Sequence, residues 1–265
     1  MTDASSPIGV YDSGAGGLAV LDEVRRLLPG EDVVYYADTA HFPYGPRPAT
    51  EIRARAEAVT RELLAQDAKL IVVACNTATS AAIEHLRRTF DVPFVGMEPA
   101  LKPAAERTLS GKVALLVTPG TARGQKLAAL IDRYGAEVSV QTIEAPGLAE
   151  RVEEGETDSD DTRVLLHRYL APVRESGADV LVLGCTHYAF LRAAIAREIG
   201  DVVEVIEPSE AVARQVKRVL SDRRLRNPRT EGGSVLYLCS GDAAAFTALR
   251  AKLEAGRERR EAGTR

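Results

Sequence analysis

Apolar residues in this chain fall into two alternating patterns. Short continuous runs rich in Val, Ile and Leu stand at 8–11 (IGVY), 33–37 (VVYYA), 70–74 (LIVVA), 113–117 (VALLV), 180–184 (VLVLG) and 234–239 (SVLYLC). Runs of this length, bounded by Gly, Pro, Asn or Asp, predict β-strands buried on both faces. A further strand is predicted at 137–143. Between the runs, apolar positions recur at helical spacing over 17–28, 50–67, 77–90, 123–134, 161–176, 186–199, 209–221 and 242–254. The segment DTAHFPYGPRP at 38–48 is too rich in Pro and Gly for a regular element. The charged stretch ERVEEGETDSDDT reads as a solvated loop leading into a helix, although one of its glutamates could face a cleft. The charged tail from Gly256 is expected to fray.

The pattern also repeats. Residues 70–77 read LIVVACNT and residues 180–187 read VLVLGCTH. Each is a strand-length run that ends in a cysteine triplet and leads into a helix. Each half then gives a second short run closing on Glu-Pro, FVGMEPA at 94–100 and VEVIEPS at 203–209. Cys75 precedes Glu98 by 23 positions and Cys185 precedes Glu207 by 22. The openings correspond as well, IGVYDSGAGG to ALLVTPGTARG, with Asp12 63 residues before Cys75 and Thr118 67 before Cys185. Strands alternating with helices predict parallel sheets covered on both faces. The expected fold is therefore two similar parallel-sheet α/β domains related by pseudo-twofold symmetry, with the active site at their interface. Residues 1–97 with 208–265 would form the first domain and residues 98–207 the second. Glu98 and Glu207 would mark the crossovers, and the C-terminal helices would return to the first domain.

Composition narrows the class. A chain of 265 residues with 45% hydrophobic and 27% charged residues has the make-up of an ordinary globular protein. A net charge of −4 gives no electrostatic reason to expect nucleic acid or an anionic membrane. No apolar run approaches the roughly 18 residues of a membrane span, and the N-terminal MTDASSP has no signal-peptide pattern. Three cysteines are too few and too scattered for a disulfide framework, which points to a reducing cytosol.

The candidate chemistry lies where the strands end. Ligands of open parallel sheets bind beyond the carboxyl ends of the strands, and Cys75 and Cys185 both stand there. A helix N-terminus supplies free N–H groups and partial positive charge, which favours a thiolate and a bound carboxylate. Asn76, Thr77 and Thr186 add side-chain donors at the same ends. A lone cysteine after an apolar run is usually a small core residue; the repeat makes that reading the weaker one for Cys75 and Cys185. Cys239 has no such counterpart and is assigned to the core. DSGAGG lacks both the GxGxxG spacing and a GK[ST] ending, so it does not predict a dinucleotide or P-loop site. His187 gains interest from standing two residues past Cys185. His41 reads as a surface or core histidine, and His85 and His167, within helical patterns, have no assigned role.

Six segments together resemble the glutamate racemases of the cofactor-independent aspartate/glutamate racemase superfamily. They are IGVYDSGAGGLAVL at 8–21, YYADTAHFPYGP at 35–46, VVACNTATS at 72–80, GMEP at 96–99, LVLGCTHYAFL at 181–191 and CSGD at 239–242. The resemblance implies that Cys75 and Cys185 are the two acid/base residues, Cys75 acting on D-glutamate and Cys185 on L-glutamate. It implies that Asp12 and Ser13 bind substrate beside the first thiol and that His187 does the corresponding work beside Cys185. Tyr44 and Gly45 would contact substrate; Asn76, Thr77 and Thr186 would hold its carboxylates. Glu153 best matches a family glutamate near the cleft, although Ala145-Pro146 stands where the family often has Cys-Pro.

Such a reaction needs two opposed acid/base groups, one to remove the α-proton and one to return a proton to the other face. The chain has six lysines, none in an obvious Schiff-base motif, and its His and Cys spacings give no zinc pattern. No metal or organic cofactor is expected. The resemblance implies a cytoplasmic homodimer that makes D-glutamate for peptidoglycan, acts on a small molecule and engages neither nucleic acid nor membrane. Two alternatives stand beside it. One is racemisation of aspartate, against which CTH rather than CTE at 185–187 speaks. The other is a binding role towards a macromolecule, since some glutamate racemases are linked to inhibition of DNA gyrase.

Overall fold

The computed structural model describes residues 3–135 and 138–262. The first half runs β1 (Ile8–Asp12), α1 (Leu18–Leu27), β2 (Val33–Ala37), α2 (Ala49–Ala65), β3 (Leu70–Val73), α3 (Asn76–Thr89) and β4 (Phe94–Gly96). The second runs α4 (Leu101–Arg107), β5 (Lys112–Val117), α5 (Pro119–Ala122), α6 (Gln125–Tyr134), β6 (Ser139–Glu144), α7 (Leu148–Glu153), α8 (Asp160–Ser176), β7 (Val180–Gly184), α9 (Arg192–Ile199) and β8 (Glu204–Ile206). The chain closes with α10 (Ser209–Asp222), β9 (Val235–Cys239) and α11 (Ala243–Ala262).

All strand pairs are parallel, in two sheets of order β4-β3-β1-β2-β9 and β6-β5-β7-β8. Apart from β9 the two orders are the same, with β5 to β8 standing for β1 to β4. The repeat in sequence is thus a repeat in topology. In both sheets the strand order reverses beside the first strand, so the crevices at the carboxyl ends of β1/β3 and β5/β7 are equivalent.

Period-two alternation assigns the faces of each sheet. Ile8 and Val10 of β1, Leu70 and Val72 of β3, Ala114 and Leu116 of β5, and Leu181 and Leu183 of β7 all belong to one continuous core cluster. Their neighbours Ile71 and Val73 pack outward beneath α2 and α3, and Val113, Leu115, Val180 and Val182 pack outward in a third cluster. One face of each sheet therefore contributes to a shared interior.

The return of the chain to the first sheet is fixed by two carboxylates at the foot of β2. Asp32 accepts from the Ser234 amide at 2.8 Å and hydroxyl at 2.7 Å and pairs with Arg229. Glu31, buried, accepts from Lys69 Nζ at 2.5 Å and from the Asn227 amide at 2.8 Å. Lys69 also donates to the Ala4 carbonyl at 2.6 Å. These bonds deliver β9 to the edge of β2.

Several expectations need adjustment. The helix expected over 186–199 is a 3-10 helix at Thr186–Leu191 followed by α9. Thr186, His187, Tyr188, Phe190 and Leu191 are all buried, more than one face of an α-helix can bury. The strand expected from 137 is ordered as β6 from Ser139, and residue 137 lies outside the described residues. The expected frayed tail from Gly256 remains helical to Ala262, with 263–265 outside the described residues. Among the described residues no helix is long and apolar enough to cross a membrane.

The Lys69–Glu31 pair sets a stability test. Both side chains are removed from water, with 0% and 3% exposure, so Glu31→Gln strands a buried ammonium. A loss of about 3 kcal/mol is expected by urea denaturation. The double replacement Glu31→Leu with Lys69→Met should recover most of it; an unchanged urea midpoint for Glu31→Gln would show that the pair is dispensable.

Candidate active site

The ends of β1, β3, β5 and β7 face one cavity of about 370 Å³. Ser13, Tyr44, Gly45, Cys75, Asn76 and Thr77 line it from the first half, and Cys185, Thr186 and His187 from the second. The sheet topology makes this inevitable once the two halves meet: each thiol follows directly on a central strand at the switch point of its own sheet.

Cys75 is the N-cap of α3, and its Sγ accepts from the Ala78 amide at 3.5 Å. The Ser13 hydroxyl lies 3.8 Å from the same sulfur. Burial raises the thiol pKa and the nearby Asp12 carboxylate raises it further, outweighing the Ala78 and Ser13 contacts. Without ligand, Cys75 is therefore a thiol.

Cys185 has a different neighbour. His187 Nδ1 stands 3.7 Å from its sulfur, and His187 Nε2 stands 2.7 Å from Glu153 Oε1. Burial works against the imidazolium, yet the Cys185 sulfur, Glu153 and Asp12 together hold the His187 pKa well above its ordinary value. The Phe42 ring lies over the imidazole at a centroid distance of 5.4 Å.

Glu153 and Asp12 join the two halves behind the cavity wall. Glu153 Oε1, from the end of α7, also accepts from the Ala15 amide at 2.5 Å. Asp12 accepts from the Gly14 amide at 2.8 Å, from Ser13 Oγ at 3.2 Å and from Thr186 Oγ1 at 2.9 Å. The glycines of DSGAGG make these contacts sterically possible. A Cβ on Gly14 would lie 2.1 Å from Glu153 Oε1, and one on Gly16 would lie 2.5 Å from His187 Nδ1 and from Thr186 Oγ1. The loop is glycine-rich to admit the polar side chains of the opposite half.

The loop carrying Tyr44 and Gly45 is held by Asp38, which is fully buried. Asp38 accepts from Tyr44 OH at 2.5 Å, from Arg55 at 2.8 and 3.1 Å and from His41 at 3.0 Å. Burial alone would raise the Asp38 pKa, but Arg55, Tyr44 and Ser240 bring it below the usual carboxylate value. Across the cavity mouth, Thr77 Oγ1 lies 3.0 Å from Thr118 Oγ1 and 3.2 Å from Thr121 Oγ1, and Arg123 donates to the Gly45 carbonyl at 3.1 Å. The Asn76 side chain is 4% exposed as a residue, lines the cavity, and has no hydrogen-bond partner at either amide atom among the described residues.

The sequence profile of the Asp/Glu/Hydantoin racemase family matches residues 8–216. The chain belongs to the Asp/Glu/hydantoin racemase family. It is 49% identical to a glutamate racemase of Herpetosiphon aurantiacus, over 94% of this chain and 98% of that one. Among solved structures it is similar to the glutamate racemase of Thermus thermophilus in complex with β-chloro-D-alanine, with a TM-score of 0.80 and 37% identity over 95% of this chain and 94% of that one. It is similar also to the Escherichia coli glutamate racemase in complex with L-glutamate and the activator UDP-MurNAc-Ala, with a TM-score of 0.84 and 31% identity over 94% of this chain and 95% of that one.

All the site residues expected from this racemase sequence meet here, with two differences of position. Asp12 and Glu153 stand behind the wall rather than on it. Sequence reasoning missed Asp38, Arg55, Phe42, Thr118, Thr121 and Arg123 as parts of the site. Thr118 had a signal, since it occupies the position in the second half that Asp12 holds in the first. Cys239 is half-buried rather than core, with its sulfur 2.9 Å from Thr39 Oγ1. His85 and His167 pair with Glu57 and Glu198, away from the cavity. Among the described residues no group of three or more His, Cys, Asp or Glu is placed to hold a metal ion.

Asp12 gives a test of sign. Burial raises its pKa from 3.8 to about 6, against the pull of His187, Gly14 and Thr186. The folded protein therefore holds this proton between pH 3.8 and about 6, where the unfolded chain releases it, so stability from this group falls as pH rises through that window. Asp12→Asn is expected to unfold at higher urea than the native chain at pH 7, by up to about 3 kcal/mol. The advantage should shrink at pH 4. A variant less stable at pH 7 would mean that the Thr186 and Gly14 bonds outweigh the burial of charge.

Proposed function

We propose that this chain interconverts L- and D-glutamate by proton transfer at the α-carbon, with Cys75 and Cys185 as the two acid/base residues. The observation that carries the reading is two thiols at equivalent strand ends, one from each half, lining one cavity, each beside a helix N-terminus. The close relatives named as glutamate racemases support the substrate, as does the L-glutamate in the similar E. coli structure. In this reading residues 1–97 with 208–265 and residues 98–207 are the two units that enclose substrate between them.

A proton must leave one face of the α-carbon and another must arrive at the opposite face. When Cys185 acts as base, its thiolate takes the α-proton of L-glutamate and becomes a thiol. The Cys75 thiol gives its proton to the other face and becomes a thiolate, leaving D-glutamate. The reverse reaction exchanges the roles, so no proton is gained or lost. The α-proton of an amino acid is a weak acid. The transient negative charge must be met by donors fixed in place and shielded from water. The Asn76 and Thr77 side chains and the backbone amides of Ser13 and Thr186 supply donors at the substrate carboxylates, the Ser13 and Thr186 hydroxyls being donated to Asp12. The unpartnered Asn76 amide is the group whose hydrogen bonds await a ligand, since a buried amide left unpaired costs about 1–3 kcal/mol.

His187 supports the direction. Glu153 and the Phe42 ring hold the His187 imidazole beside the Cys185 sulfur. Cys75, with no cation beside it, keeps its proton. Cys75 is thereby set to give a proton to the substrate. The product fits a role in supplying D-glutamate for peptidoglycan, by a homodimer in the cytoplasm, as the family resemblance implies.

Proton exchange followed by NMR in deuterium oxide tests the reading, with L- and D-glutamate as separate substrates and L-aspartate as the comparison. Glutamate should lose its α-proton signal while its optical rotation decays. Either Cys75→Ala or Cys185→Ala should lower racemisation to about a thousandth or less. Full turnover by either variant would sink the two-thiol mechanism, and faster turnover of aspartate would change the substrate.

Two further outcomes separate Glu153 and Asp12. Glu153→Gln is expected to lower the His187 pKa, read by NMR titration of the labelled imidazole, and to lower kcat/KM by the same factor in both directions, because L- and D-glutamate are equal in free energy. The native kcat/KM should fall as pH drops through about 6, where Asp12 takes up a proton. A flat profile from pH 5 to 8 would remove Asp12 from the ionisations that matter.

A further inference from the structure

The loop at 38–48 is braced from its own half as far as Tyr44. Asp38 takes the Tyr44 hydroxyl, and Arg47 Nε donates to the His41 carbonyl at 2.8 Å and to the Pro43 carbonyl at 3.3 Å. Gly45 comes next, buried and on the cavity wall. Having no side chain, it can present only its backbone to a ligand. Two peptide planes meet at its Cα. The first is held within the loop, where the Arg47 amide donates to the Tyr44 carbonyl at 3.0 Å. The second carries the Gly45 carbonyl, and its bond comes from the other half of the molecule, from Arg123 Nη2 at 3.1 Å.

Gly120 makes the same junction independently. A Cβ there would lie 2.6 Å from the Gly45 carbonyl oxygen and 2.9 Å from the Gly45 Cα. The φ of Gly120 is not in the left-handed region, so its backbone conformation does not call for glycine. What calls for it is the approach of two main chains, β5–α5 of the second half against the loop of the first. Arg123 follows three residues later, at the end of α5, and is itself exposed. Its bond therefore contributes little to the core and acts locally, on one peptide plane at the cavity wall.

We infer that Arg123 is a positioning residue for substrate, acting through the Gly45 carbonyl against the surface that Gly120 provides. The inference rests on the proposed racemisation and deepens it. The backbone at Gly45 takes its binding geometry only when the second half is in place, so the loop is completed by the domain that carries Cys185. A backbone fixed before substrate arrives spares the ordering that binding would otherwise require. The effect falls on binding of the amino acid in both its forms rather than on proton transfer, so KM carries it.

Kinetics of the full chain on L- and D-glutamate, with hydrogen exchange of the ligand-free protein, test this. Arg123→Met keeps the aliphatic stem and loses the donor. It should raise KM about tenfold in both directions and leave kcat within about twofold. A mere loosening of the fold would lower kcat instead, by removing active molecules. Arg123→Lys should recover part of the loss, since an ammonium can still donate to a carbonyl. Gly120→Ala, which leaves the guanidinium in place, should raise KM as well. The double variant should be no worse than the poorer single one, because both changes break one junction. Exchange of the Arg47 amide should quicken about fivefold or more in Arg123→Met, with β1 and β3 unchanged. An unchanged KM, a fall in kcat alone, additive losses in the double variant, or native exchange at Arg47 would overturn the inference; additive losses would make Arg123 a direct contact of substrate. If the native chain does not racemise glutamate, the proposed function falls, and the exchange rates still decide whether Arg123 holds the loop.

Discussion

Everything at the cavity depends on one close approach, the passage of Glu153 over the glycine loop after β1. Glu153 Oε1 stands at once 2.5 Å from the Ala15 amide of the first half and 2.7 Å from His187 Nε2 of the second. Those two bonds fix the end of α7, the orientation of the imidazole, and the distance between the halves. A single methyl group on Gly14 or Gly16 would occupy the space of a carboxylate oxygen or a ring nitrogen. The loop thus trades the conformational cost of glycine for contact between backbone and buried polar side chains. Buried polar groups of this kind are stable only when they are paired, and here Glu153 and Thr186 find partners across the boundary between halves, at Ala15 and Asp12.

The sheets explain why the approach happens at that place. Their shared topology puts the ends of β1 and β3 opposite the ends of β5 and β7, and a continuous core cluster binds their inner faces together. Packing of that extent fixes relative position to within a fraction of a side chain. Polar contacts such as Asp12 to Thr186 then need no further ordering. The buried charge on Asp12 is costly, but the cost falls where the fold is otherwise over-determined, a common arrangement at sites of chemistry.

Much of this was legible in the chain. The alternation of runs and helical patterns gave the strands, and the LIVVACNT and VLVLGCTH repeat gave the two thiols and their placement. Positions beside the thiols followed from adjacency. What could not be read is what depends on how the halves meet. Phe42 over His187 and Arg123 on Gly45 are contacts between residues 145 and 78 positions apart in sequence, and no local pattern encodes them. Short elements were also hidden: α5 and α7 have four and six residues, too few for a 3.6-residue period to declare itself. The helical reading of 186–199 failed for a related reason. A run that buries nearly every side chain carries no amphipathic stripe, and there a 3-10 helix and an α-helix look alike.

The two cysteines show where repetition ends and function begins. By sequence they are interchangeable, each the last residue before a helix and each an N-cap. By environment they are not. The Cys75 sulfur meets an amide and a hydroxyl, with the Asp12 charge nearby, whereas the Cys185 sulfur meets an imidazole held protonated. A fully symmetric pair sharing one proton would hold it on either sulfur equally, with nothing to distinguish the two faces. The departures from symmetry that set this difference are all single residues: His187 where the first half has Thr77, Asp12 where the second has Thr118, and Glu153 on a helix placed to reach across. Duplication supplies the two equivalent places for a thiol, and those three side chains make them unlike.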